Sequence, residues 1–367
     1  MEWLCEWIDS LERRQMFTPR WWWPVTLVAG VFALLVPVHT LQSNPVHLSG
    51  SGAALLGRMR AVNAADATAD VGSGLVLINS DISYQGAVGA GTGIVLSSDG
   101  VVLTNNHVVE GATKITATST ASGASYAATV LGYDRTHDIA LLQLQGASHL
   151  PTAPLGDGTH VAVGDEVSAV GNARGEGLSR SAGTVTGLNQ TITAADDLAA
   201  PEQLTGLIEV SANVVPGDSG GALVNSSGEV IGIDTAASGN YRLSRGGGDG
   251  FAIPIGAALS IASQIQSGRS SGSVHVGPSA MLGVGVKTQR QGGVAVAQVL
   301  RGSPAQRAGI VPGDLITGFA GESVASDTAL TDLLDQQHPG NGVPLTWVDP
   351  DGQEYSAVVT LAPGPVG

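Results

Sequence analysis

The decapeptide Val214 to Leu223, V-V-P-G-D-S-G-G-A-L, sets one serine hydroxyl among three glycines. Glycine leaves the backbone free for tight or left-handed turns, so Ser219 is little shielded by neighbouring side chains. A serine hydroxyl is a weak nucleophile at neutral pH, and its chemistry needs a general base and a group that orients that base. Two stretches upstream supply both. His107 stands in V-L-T-N-N-H-V-V after an apolar run, and Asp138 stands in H-D-I-A-L-L-Q-L at the mouth of another. A histidine, an acid and a serine brought together would attack a carbonyl through a covalent acyl intermediate.

The order His, Asp, Ser along the chain is that of the chymotrypsin type of triad, whereas α/β-hydrolases run Ser, Asp, His and subtilisins Asp, His, Ser. Gly217 to Gly221 also fits G-x-S-x-G, but a hydrolase elbow needs its base downstream. Only His275 and His338 remain there, both in apparent linkers or turns. His137, beside Asp138, should point the opposite way in extended chain and face out.

Composition narrows the rest. The 367 residues suffice for two or three domains with buried cores. Glycine is abundant, aromatics are scarce, and short Val/Ile/Leu/Thr runs recur between turn clusters, which predicts a mostly β protein. A net charge of −15 disfavours a phosphate-binding surface, so nucleic acid is not an expected partner. Cys5 is the single cysteine, which excludes an intrachain disulfide and a Cys-rich zinc cluster. No metal or cofactor is expected. The glycine-rich stretches G-A-G-T-G near Gly89 and G-N-Y-R-L-S-R-G-G-G-D-G after Ser238 lack the spacing or the lysine of a phosphate loop.

Residues 1–20 are polar and carry Arg13, Arg14 and Arg20 ahead of an uncharged stretch, 21–41. That stretch is long enough, at 1.5 Å per residue, to cross about 30 Å of hydrocarbon. Trp21, Trp22 and Trp23 suit an interfacial belt, and the arginines place the N-terminus in the cytoplasm. The expectation is a single transmembrane helix, with the remaining chain extracytoplasmic; a cleaved signal peptide is the competing reading. Residues 42–70 read as a tether with one short helix near Ala53 to Ala65.

Six strand candidates follow: Leu75–Asn79, Gly93–Ser97, Val101–Thr104, Lys114–Thr118, Ala127–Tyr133 and Ile139–Leu144. Six more begin at Glu166–Gly171 and continue with Ser181–Leu188, Leu207–Val210, Ala222–Val224, Val230–Thr235 and Gly250–Ile253. Two six-stranded barrels would place His107 and Asp138 on loops of the first and Ser219 on a loop of the second. Ile255 to Ser267 reads as a closing helix.

The stretches T-N-N-H-V-V, H-D-I-A-L-L, P-G-D-S-G-G-A-L and G-F-A-I-P, in this order, resemble the HtrA (Deg) family of trypsin-like serine proteases. The resemblance implies a double β-barrel chymotrypsin-like domain over 71–267. It makes His107 the general base, Asp138 its orienting partner and Ser219 the nucleophile, with the N–H groups of Gly217 and Ser219 forming the oxyanion hole. Asp218 departs from the asparagine more common in that family, which leaves its partner open. Asn213 lies six residues before the serine, where a trypsin carries an aspartate, so cleavage after basic residues is disfavoured. Ile231, Ile233, Phe251 and Ile253 are the expected walls of an uncharged pocket for small or medium aliphatic side chains.

After a Ser/Gly linker, 268–279, residues 280–363 resemble a PDZ domain. Ser303 and Pro304 open a short helix that Gly309 ends, and Ala329 to Gln336 suits the helix beside a peptide groove. The resemblance places the carboxylate loop at Met281, Leu282, Gly283 and Val284, with peptide C-termini as partners. It implies an endopeptidase of misfolded or exposed polypeptides in envelope quality control and stress response, and a possible homotrimer. A peptide-binding chaperone or scaffold with a resting protease site is the alternative.

Overall fold

The computed structural model describes residues 71–84, 86–194, 202–235, 250–289 and 293–367. The chain divides into two units, 1–59 and 60–367. The expected membrane helix 21–41, the tether 42–70 and the glycine-rich loop after Thr235 lie outside the described residues. Among the described residues no helix is long and apolar enough to cross a membrane.

The first barrel is built from β1 (Leu75–Ile82), β2 (Ala87–Val95), β3 (Val101–Thr104), β4 (Lys114–Ser119), β5 (Ser125–Asp134) and β6 (Ile139–Leu144). A short helix, α1 (Asn106–Val109), follows β3. The strands run β5-β4-β1-β2-β3-β6, and pairing of β5 with β6 closes the ring. Alternation along β1 explains its two faces: Val76 and Ile78 fill the barrel interior, while Leu75 packs outward toward the second barrel.

The second ring consists of β7 (Glu166–Gly171), β8 (Ser179–Ala194), β9 (Glu202–Val210), β10 (Ala222–Asn225), β11 (Val230–Thr235) and β12 (Gly250–Pro254), closed in the order β10-β11-β12-β9-β8-β7. Closure removes the edges of the second ring, and in the first it leaves only the end of β5 that β4 does not cover. Between the rings lies a shared core in which Ile94, Leu103, Ile139 and Leu141 meet Val170, Ala222, Ile233, Phe251 and Ile253. Helix α2 (Ile255–Gln266) adds Ile255, Ala258, Ala262 and Ile265 from one helical face.

The segment expected as a bare linker contains β13 (Val274–Val276), which adds to β5. Val274 is buried in the inter-barrel core, so apolar contact and a free edge of β5 convert part of a Ser/Gly stretch into structure. The last domain contains β14 (Ala280–Met281), β15 (Val284–Thr288), β16 (Val294–Val299), α3 (Pro304–Ala308), β17 (Leu315–Phe319), β18 (Glu322–Ser323), α4 (Asp327–Asp335), β19 (Gly342–Val348), β20 (Glu354–Thr360) and β21 (Ala362–Pro363). Ser303 caps α3 by accepting from the Gln306 N–H, and Gly309 ends it at φ 92°. β15 is the edge of a sheet ordered β15-β16-β17-β19-β20, and α4 packs beside it. Met281 belongs to β14 and Val284 opens β15, so the turn at the expected carboxylate loop is Leu282–Gly283, with Leu282 buried.

Candidate active site

His107 is the second residue of α1, and its position is fixed by Asp138 from the other side of the barrel mouth. The Asp138 carboxylate accepts from the His107 backbone N–H at 3.0 Å and meets His107 Nδ1 at 2.8 and 3.0 Å. Asn105 Nδ2 donates to the Asp138 carbonyl at 2.9 Å. Asp138 adopts φ 54°, an unusual conformation for a residue with a side chain, and these contacts hold it there. The acid is 4% exposed, while the imidazole keeps 42% of its side-chain surface open. The bond to Nδ1 fixes the tautomer that leaves Nε2 as an acceptor. His137 pairs instead with Asp134 at 2.8 Å and stays half exposed; it faces out as expected, but from a turn between β5 and β6 and not from extended chain.

The second barrel contributes to the same carboxylate. Thr235, the last residue of β11, donates its hydroxyl to Asp138 Oδ2 at 3.1 Å. Three donors, two from His107 and one from Thr235, thus converge on one buried carboxylate.

The serine loop is stitched to the first barrel through β2. Thr92 N–H donates to the Ser219 carbonyl at 2.8 Å, and Thr92 Oγ1 donates to the Gly217 carbonyl at 2.9 Å while accepting from Asn172 N–H at 2.8 Å. Thr104 Oγ1 donates to the Thr92 carbonyl at 2.6 Å. Gly91 lies where α1 and the loop converge: a methyl placed there would stand 2.5 Å from Val108 and 3.2 Å from the Ser219 carbonyl. Ser219 is thereby held against the segment that carries His107.

Two glycines of the loop are obligatory. Gly217 and Gly220 have φ of 99° and 80°, and a methyl on either would lie 2.1 Å from a backbone oxygen, that of Asn172 or of Thr92. The Pro216 carbonyl accepts from Arg174 N–H at 2.7 Å. All described peptides are trans, so the Gly217 N–H points away from Arg174. Asp218, whose partner the sequence left open, accepts from the Val215 backbone N–H at 3.0 Å and from the Ser179 side chain. Burial pushes its carboxyl above the ordinary range, and those hydrogen bonds oppose the shift without cancelling it.

The residues expected to wall the pocket fall differently. Ile233, Phe251 and Ile253 are consumed by the core between the barrels, and Ile231 by the core inside the second. Asn213 is exposed and donates its backbone N–H to Ser181 Oγ. A register shift between β10 and β11 leaves Ile231 as the extra residue, which turns it to the face opposite that of Ile233. Thr92 and Thr235 went unread because a threonine in a strand has no pattern of its own. The signal available was position, between two glycines and at the end of an apolar run.

A family profile described as a trypsin-like peptidase domain matches residues 91–233, and one described as a PDZ domain matches residues 295–348. Serine protease PepD of Mycobacterium tuberculosis is 32% identical over 302 residues, covering 78% of this chain and 63% of PepD. HhoB of Synechocystis sp. is 32% identical over 292 residues, covering 76% of this chain and 67% of HhoB. The periplasmic pH-dependent serine endoprotease DegQ of Escherichia coli is 36% identical over 282 residues, covering 74% and 59%. The chain thus spans less than two thirds of the length of PepD and DegQ. Among solved structures, the HtrA-type protease AlgW with tripeptide aligns at a TM-score of 0.48 and 29% identity, covering 83% of this chain and 99% of that one.

Proposed function

This chain belongs to the HtrA (Deg) family of trypsin-like serine proteases that carry a PDZ domain, and we propose that it is a serine endopeptidase acting on misfolded or exposed polypeptide. The observation that carries this reading is the Asp138 carboxylate, bound at once by His107 from the first barrel and by Thr235 from the second.

In the proposed reaction Ser219 Oγ attacks the peptide carbonyl and passes its proton to His107 Nε2. The imidazolium that forms is stabilised by Asp138 and then protonates the leaving amine, after which water repeats the sequence on the acyl-serine. The N–H groups of Gly217 and Ser219 receive the oxyanion. Losing one such donor costs about 2.7 to 4 kcal/mol of transition-state stabilisation, so the Arg174 to Pro216 hydrogen bond has a stake in activity. Peptide C-termini add along β15, the free sheet edge, beside α4. The same reading includes a membrane anchor at 21–41, extracytoplasmic domains and assembly as a trimer.

Treating the full-length protein with a fluorophosphonate tests the core of the proposal. Ser219 should label and casein should be cleaved, and both should vanish in Ser219→Ala. A chain that binds C-terminal peptides but never labels would be a chaperone or scaffold instead. Retention in membranes after a carbonate wash tests the anchor, and sedimentation of detergent-solubilised protein tests the trimer.

A further inference from the structure

Strand β11 reads Val-Ile-Gly-Ile-Asp-Thr, apolar up to an aspartate that is completely buried. The backbone of Asp234 is tied to the serine loop on both sides. Gly220 N–H donates to its carbonyl at 2.8 Å, and its own N–H donates to the Gly221 carbonyl at 2.9 Å. Side chains alternate along a strand. Thr235 turns to Asp138 and Ile233 joins the core between the barrels, so Asp234 turns the other way, into the second barrel. Ala252 is its direct cross-strand partner, and Gly250 lies on the same face two residues earlier. The wall beside the carboxyl is therefore a methyl and a hydrogen. Val214, only partly buried, covers Gly250 from the loop side.

Neither oxygen of the Asp234 carboxyl has a partner at hydrogen-bond geometry among the described residues, and neither does Asp218 Oδ1 behind the same loop. Among the described residues, neither acid forms an ion pair with a Lys, Arg or His. The Val170 backbone N–H lies near enough to lower the carboxyl in part, without reaching hydrogen-bond geometry. Buried charges are as a rule paired or neutralised, and here the described chain supplies no cation.

We propose that Asp234 is the acidic floor of the pocket for the substrate residue preceding the scissile bond, and that this pocket prefers a cationic Lys or Arg side chain. The inference rests on Ser219 being the nucleophile. A long aliphatic stem passes Val214 and packs on Ala252 while its charged head reaches the carboxyl. Asp218 adds negative potential from the loop itself. Burial raises the Asp234 carboxyl well above the ordinary carboxylate range, and Asp218 adds to the rise. An arriving cation favours the ionised form and releases a proton to solvent, so the preference strengthens as pH rises. The inference replaces the expectation drawn from Asn213, which is exposed and contributes no group to this face.

The test uses the full chain, two peptides differing only as Lys or Val before the scissile bond, and benzamidine as a cationic competitor of fluorophosphonate labelling. The Lys peptide should exceed the Val peptide in kcat/KM by about tenfold or more, with the ratio falling by about that factor in Asp234→Asn and Asp234→Ala. Benzamidine should slow labelling of Ser219, more strongly at about pH 8 than at about pH 6. A Ser219 that labels at an unchanged rate in saturating benzamidine, with the Val peptide preferred, overturns the acidic pocket and leaves the nucleophile standing. A Ser219 that does not label at all removes the proposed function first. Should both Asp234 variants fail to fold, benzamidine protection in the unaltered chain decides.

Discussion

At the scale of single residues, the hydroxyl of Thr235 is what the second barrel contributes to holding the Asp138 carboxylate in place. Thr235→Val keeps the shape and deletes one of the donors to a carboxylate that is 4% exposed. Leaving a buried acceptor short of a donor costs about 1 to 3 kcal/mol, so kcat/KM should fall roughly 5- to 160-fold. Peptide hydrolysis by a variant with an unchanged melting temperature checks this; full activity would mean that Asp138 does not need the second barrel. Asp234 yields a prediction of opposite sign for stability. Its pKa is raised in the folded chain by burial, so the folded state holds a proton that the unfolded state releases near the ordinary carboxylate range. Stability from this group is complete below that range and declines as pH rises toward the folded value. Asp234→Asn, neutral throughout, should therefore raise the melting temperature more at about pH 8 than at about pH 4. Equal shifts at both would place the titration elsewhere. His107, Asp138 and Ser219 were legible in sequence because each stands in a run whose glycines, asparagines or apolar neighbours mark a loop mouth. The two threonines and Asp234 were not, since their meaning depends on which way a strand turns its side chains.

At the scale of elements, strand β2 fastens the serine loop, and Thr92 is the rivet. Its hydroxyl donates to Gly217 and accepts from Asn172, joining β2, the loop after β7 and the Ser219 turn through one atom. Thr92→Val should leave a buried N–H and a buried carbonyl unpaired and lower stability by about 1 to 3 kcal/mol. Labelling of Ser219 should slow by more than that loss of folded protein explains, because the Gly217 peptide is itself a proposed oxyanion donor. Denaturant unfolding beside labelling kinetics separates the two effects; a labelling rate that tracks the folded fraction alone would make Thr92 merely structural. The strands themselves were readable. β3, β6, β7 and β11 have the bounds their apolar runs predict, whereas β8 and β9 run longer than the sequence suggests. The extra length holds polar residues paired across the two strands with several register shifts, a regularity supplied by the partner strand. β13 escaped for the same reason. A Val-His-Val between serines and glycines becomes a strand only because β5 has an edge to offer.

At the scale of the whole molecule, the PDZ domain is joined to the first barrel by a polar cluster that includes the end of α4. Tyr133 Oη donates to Asp335 Oδ1 at 2.7 Å, Arg135 lies 3.4 Å from Asp335 Oδ2, and His275 Nδ1 meets the Asp335 carbonyl at 2.6 Å. His275 stacks on Tyr133, with ring centroids 4.9 Å apart, and His338 lies tilted against it at 5.1 Å. Arg135 also faces Glu110, the residue that ends α1, so the cluster borders the helix bearing His107. The backbone of Val366 exchanges two hydrogen bonds with Gly111 and Ala112 on the same side. Burial raises the Asp335 carboxyl, and that penalty outweighs the lowering by Arg135, Tyr133 and His275, while Asp332 adds to the rise. Glu110 is raised for the same first reason. A raised carboxyl favours the docked, protonated arrangement in acid and weakens it as pH climbs through the folded value. Cleavage of the 268–279 segment by an added protease should therefore accelerate from about pH 5 to about pH 8. Asp335→Asn should flatten that profile, and Tyr133→Phe should raise cleavage at every pH by removing the donor. The measurement is best made in a Ser219→Ala background so that only the added protease cuts. A profile equally steep in Asp335→Asn would take the pH dependence away from Asp335 and point to Glu110.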